Sequence, residues 1–131
     1  MSLMMILLLG SVAASRGDVQ EYAEMVNDTI EHAEVVKIVP PLSKLLAVDE
    51  PQSQKALVES NFKLSDVALA KLVSQKSGKP FDTILTPESV ADWLPVLKAN
   101  DVSETEAETY LDNFQSEVAL IMFDYREKRW K

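Results

Sequence analysis

The stretch SETEAETYLDNFQSEVALIMFDYREKR, residues 103–129, decides the fold. Ser103-Glu104-Thr105-Glu106 has the form of a capping box, in which a serine hydroxyl and a glutamate three residues on satisfy backbone donors at a helix start. Ala107, Leu111, Phe114, Val118, Ile121 and Tyr125 follow at spacings of four, three, four, three and four, and Tyr110 and Met122 widen the seam. This is the apolar stripe of one long amphipathic helix. Acidic residues fill its first half, and Arg126, Lys128, Arg129 and Lys131 its end. Both ends therefore suit the helix dipole.

Within that helix, Val118-Ala119-Leu120-Ile121-Met122-Phe123 is apolar all round. Such a turn is expected to be buried on several sides, as the central helix of a bundle would be. The competing expectation is that part of it faces a partner, because aromatic and aliphatic residues in such a place are typical interface anchors. On that reading Leu120, Phe123, Tyr125, Arg126, Arg129 and Trp130 are the candidate partner-binding residues. Residues 126–131 also form a basic tail, the one local reversal in an otherwise acidic chain. Such a tail can anchor an acidic partner, nucleic acid or a membrane surface, but dipole complementation and solubility are the simpler account of it.

Upstream, shorter helices with proline boundaries are expected. Thr86-Pro87-Glu88 reads as the start of a helix carrying Val90, Trp93, Leu94 and Leu97. Pro95 should kink it or split it in two. Ser65 is placed as the N-cap of a helix with Val67, Leu69, Ala70, Leu72 and Val73, closed by Gly78. Leu42 to Val48 and Gln52 to Glu59 are further short candidates. From Asp18, taken as cap or first turn, Val19, Tyr22, Ala23, Val26, Ile30 and Ala33 share one helical face, with acidic residues largely opposite. That pattern fails at Val35, Val36, Ile38 and Val39, which read as a buried helix end or a short strand, and Pro40-Pro41 is expected to end any helix there.

Leu3 to Leu9 is an apolar run bounded by Gly10, and periodicity alone does not choose between a buried helix and a strand. With the small residues that follow, residues 1–14 also have the look of a signal segment, although no Lys or Arg precedes the run. The run is too short to span a bilayer.

The 131 residues suit one domain, with a hydrophobic share of 47% and a charged share of 26%. A net charge of −8 argues against nucleic acid or an anionic membrane as partner. The absence of cysteine excludes disulfides, thiolate chemistry and Cys-ligated zinc.

Few residues point to chemistry. A strand at Met4 to Gly10, a loop from Ser11 to Gly17 and a helix from Asp18 would resemble the opening of P-loop nucleoside monophosphate kinases, with Glu34 to Leu46 as the next strand and helix. That resemblance implies a phosphate-type loop at residues 10–18. The Gly-x4-Gly-Lys-Ser/Thr pattern is nevertheless missing, and Asp18 stands where the phosphate-binding lysine should be. Glu24, Asp28 and Glu31 beside His32 do not form the Glu-x-x-His unit of a helical metal site, since Thr29 occupies the Glu position. His32 is the only histidine, and it lies on a strongly acidic helix, a poor setting for a catalytic base.

The expectation is therefore a mainly α single domain of five or six helices packed around the C-terminal one, with α/β and two or three short strands (Leu3 to Leu9, Val35 to Val39, Thr83 to Leu85) as the alternative. The expected function is a non-enzymatic interaction or assembly subunit, self-associating or bound to a protein partner, without cofactor, metal or transmembrane span, in the cytoplasm. The alternatives are a small-molecule or nucleotide-binding module using residues 10–18, and an exported helical protein.

Overall fold

Val67-Ala68-Leu69-Ala70 can make a helical turn that is apolar on every side, and the molecule is assembled around it. In the computed structural model, which describes residues 19–60 and 62–129, these four residues are all buried. They belong to α5 (Leu64–Ser77), whose Leu64, Ser65, Leu72 and Val73 are buried as well. The most enclosed helix is thus α5, and the long C-terminal helix packs against it and against α3 and α8.

Every element among the described residues is helical. In chain order they are α1 (19–28), α2 (His32–Val35), a 3₁₀ turn (Val36–Ile38), α3 (Val39–Leu46), α4 (Glu50–Gln54), a π-helical turn (Lys55–Glu59), α5, α6 (Phe81–Ile84), α7 (Pro87–Ala91), α8 (Trp93–Ala99) and α9 (Glu104–Arg129). The chain is mainly α, as expected, but its helices are shorter and more numerous than the five or six anticipated. Buried apolar residues from Val19 to Met122 form one connected cluster.

The valine-rich patch is helical, not a strand. Val35, Ile38, Val39, Leu42 and Leu46 are buried while Val36 is exposed. Spacings of three, one, three and four make a continuous helical face across α2, the 3₁₀ turn and α3. Pro40 and Pro41 do not end a helix here; they lie in the first turn of α3. A first-turn residue has no intrahelical acceptor for its N–H, so proline loses nothing there. Thr83 and Ile84, placed in a possible third strand, belong instead to the single turn of α6, where Thr83 Oγ1 donates to the carbonyl of Pro80 at 2.8 Å.

Several boundaries fall where the side chains predict. Thr86 Oγ1 caps α7 by accepting from the amide of Ser89. Gly78 closes α5 at φ +77. Pro95 yields two short pieces: the chain breaks at Asp92, whose carboxylate accepts from the amide of Leu94 and starts α8. The break frees the Ala91 carbonyl that Pro95 would otherwise have crowded. Ser65 is not the cap of α5, because the helix begins at Leu64 with Lys63 in the cap position, two residues earlier than expected. The Ser65 hydroxyl and amide are used in a contact with α1 instead.

Leu3 to Leu9, the loop at residues 10–18 with Asp18, the signal-like residues 1–14, Trp130 and Lys131 lie outside the described residues. So do the side chains of His32 and Arg129. No helix among the described residues is long and apolar enough to cross a membrane.

Candidate functional site

Helix α9 is about 39 Å long at 1.5 Å per residue. Its start is fixed by Ser103 Oγ, which accepts from the amide of Glu106 at 3.0 Å. The Glu106 carboxylate pairs with Lys76 Nζ of α5 at 3.2 Å. The buried seam is Ala107, Leu111, Phe114, Val118 and Met122, where the heptad count gives Ile121 in the last place. At about 100° per residue Ile121 and Met122 lie about equally far on either side of that stripe, so the helix period does not choose between them, and packing turned Met122 inward. Ile121 and Tyr125 are left half-buried against the core.

The packing divides the all-apolar turn. Val118 is 0% and Met122 1% exposed, whereas Leu120 is 64% and Phe123 68% exposed. The turn is buried on one side, not on several. Leu120 and Phe123, three residues apart, form a ridge on the solvent side of a helix whose opposite face is anchored against α3, α5 and α8.

The other predicted partner residues are placed differently. Tyr125 points towards the core. Arg126 Nη2 is 3.2 Å from Glu34 Oε1, tying the end of α9 to α2. Arg126 and Lys128 belong to the last turns of α9 rather than to a separate tail. Lys128 is paired with Asp124 at 3.2 Å.

Near the ridge, α9 is joined to the end of α1 by residues that sequence reading missed. Gln115 Nε2 of α9 donates to Thr29 Oγ1 at 3.3 Å, and Thr29 Oγ1 donates to the carbonyl of Met25 at 2.8 Å. Thr29 shares a shallow hollow of about 420 Å³ with Ala119, Met122, Phe123, Arg126 and Glu127. Met25, one turn before Thr29 on α1, is 45% exposed. Its neighbours in the helix, Glu21 and Asp28, are exposed, as are Glu117, Asp124 and Glu127 around the α9 ridge. The sequence signal for Met25 was present, as a methionine among carboxylates on the polar side of an amphipathic helix. Nothing local linked it to α9.

A second concavity, about 410 Å³, lies between α1, α5 and the α7–α8 break. Asn27 and Ser65 clasp each other there: Asn27 Nδ2 donates to Ser65 Oγ and the Ser65 amide donates to Asn27 Oδ1, both at 2.9 Å. Trp93 Nε1 donates to Asp66 Oδ1 at 2.8 Å, and the Lys63 amide donates to Asp66 Oδ2 at 3.3 Å. Burial raises the Asp66 pKa; the bonds from Trp93 and the Lys63 backbone oppose that rise. Both oxygens of Asp66 are engaged by the chain itself. This concavity is therefore a polar joint between helices, which holds Trp93 in place.

Among the described residues no group of three or more metal-ligating side chains comes together. No protein-family model matches the chain, and no match is found among curated proteins or solved structures.

Proposed function

We propose that this protein is a non-enzymatic interaction subunit that engages another protein through the outer face of α9. The observation that carries the reading is the exposure of Leu120 and Phe123 on a helix whose inner face is fully packed. Single exposed apolar residues are ordinary on any protein surface. Two large ones a turn apart, with a hollow beside Phe123 and a further exposed apolar residue, Met25, on α1, are of the kind that marks interaction sites. The anchored inner face also holds the ridge rigid, so little conformational freedom remains to be lost on binding.

The test compares the tagged wild-type chain with a Leu120→Asp/Phe123→Asp double variant, purified from its native cells. The expected result is a defined partner that accompanies the wild type and is lost from the variant. Both positions face solvent, so the variant should keep the wild-type circular dichroism spectrum. An identical set of companions for both proteins would remove α9 as the binding face. The reading sets the protein in the cytoplasm. An N-terminus near Ser15 in the native product would place it outside, as an exported protein.

A further inference from the structure

We infer that the partner of this face is a basic amphipathic helix of another protein, with Lys or Arg flanking an apolar strip, and not a second copy of this chain. The inference rests on the docking face proposed above and concerns what covers it. The apolar elements are Leu120 and Phe123 on α9, the hollow that Phe123 shares with Thr29, and Met25 one turn before Thr29 on α1. Around them lie the exposed carboxylates of Glu21 and Asp28 on one side and Glu117, Asp124 and Glu127 on the other.

The two described cations of this region are already engaged, Arg126 by Glu34 and Lys128 by Asp124. Glu21, Asp28, Glu117 and Glu127 have no cation partner among the described residues. Counted over the described side chains, Glu21, Asp28, Glu117 and Glu127 thus leave uncompensated negative charge beside the apolar residues. A partner that lays apolar side chains on Phe123 and Leu120 brings its flanking residues against those carboxylates. Lysine and arginine there are attracted, and acidic residues are repelled. A helix laid in a groove presents such a strip at i, i+3, i+4 and i+7. A second copy is disfavoured for the same reason: it would set one rim of carboxylates against another, on chains that each carry −8.

The probe is a fluorescein-labelled synthetic helix of about 18 residues, long enough to hold helical structure when bound. Leucine forms one face and lysine the rest; its twin carries glutamate in place of lysine. Both are titrated by anisotropy into the full chain, the Glu117→Lys/Glu127→Lys variant and the Leu120→Asp/Phe123→Asp variant. The lysine peptide is expected to bind the wild type and the glutamate peptide not to bind. Affinity for the lysine peptide should fall about tenfold in the charge-reversed variant, and comparably between about 0.05 and about 0.5 M salt. The apolar double variant should lose it too.

Equal binding of both peptides, or an unchanged affinity in Glu117→Lys/Glu127→Lys, overturns the inference. If the Leu120→Asp/Phe123→Asp variant still loses binding in that case, the docking face itself survives. Lysine-peptide binding that ignores Leu120 and Phe123 would place the contact elsewhere on the acidic surface and overturn both readings. A dimer by light scattering that dissolves in the Leu120→Asp/Phe123→Asp variant would name the second copy as occupant and overturn the inference.

Discussion

Phe114 and Phe123 are the same residue type on the same helix, nine positions apart, yet truncating each to alanine should have very unequal consequences. Phe114 is 5% exposed and stacks on Tyr110, with ring centroids 6.2 Å apart and planes at 11°. Phe114→Ala removes a buried ring and leaves a cavity among packed neighbours, at a cost of about 3–5 kcal/mol. The lost ring pair accounts for roughly 0.5–1.5 kcal/mol of that. Phe123 keeps only about a third of its surface covered, so its truncation forfeits roughly 1 kcal/mol or less of transfer energy. Alanine recovers about 0.5 kcal/mol through its better helix propensity. The net change at position 123 should therefore lie within about 0.5 kcal/mol of zero. Urea unfolding followed by circular dichroism separates the two cases. With a slope of about 1–3 kcal/mol per molar, Phe114→Ala should lower the midpoint by about 2 M and Phe123→Ala should leave it nearly unchanged. A loss of 2 kcal/mol or more for Phe123→Ala would mean that α9 turns its other side inward, and the proposed docking face would fall with it.

Two further outcomes concern the backbone and the polar joint. Gly78 and Ala47 both end helices with positive φ, at +77 and +57. A Cβ on Gly78 would meet nothing within 4 Å, so Gly78→Ala should cost about 1 kcal/mol from the backbone alone, while Ala47→Gly should stabilise by up to about 1 kcal/mol in thermal melts. Changes of the opposite sign would contradict the left-handed caps. Asp66 has a folded-state pKa above its usual value of 3.8, so the folded state holds this proton more tightly than the unfolded chain does. The associated stability is present below the unfolded pKa and is lost as pH rises through the folded one. Relative to Asp66→Asn, the wild type should therefore gain stability as pH falls through that window. A gain on raising the pH would show that the bonds from Trp93 and Lys63 outweigh desolvation.

What was readable along the chain was what a few neighbouring residues settle among themselves. Thr86 capping α7, Gly78 closing α5 and Ser103 opening α9 each involve a side chain or dihedral and a backbone group within about four residues. The Pro40-Pro41 pair shows the limit of such rules. Proline forbids a helix interior but fits a first turn, and only the burial of Ile38, Val39 and Leu42 on one face made it a first turn. The candidate face was half legible: Leu120 and Phe123 stood out as surplus apolar residues, whereas nothing local tied Met25 to them. Asp66 and Trp93 carried no local signal at all, because the bond that joins them crosses 27 residues of sequence.

By itself, then, the sequence determined that residues 103–129 form a helix, where it begins, and which stripe of it is apolar. Capping, dipole and side-chain period act over a turn or two, and they are written in consecutive residues. Which side of Val118 to Phe123 faces water was decided only by the tertiary structure. That turn is apolar all round, so its own residues have no preference. The inward side was chosen by the packing of Val118 and Met122 against helices from distant parts of the chain, and Leu120 and Phe123 were left outside.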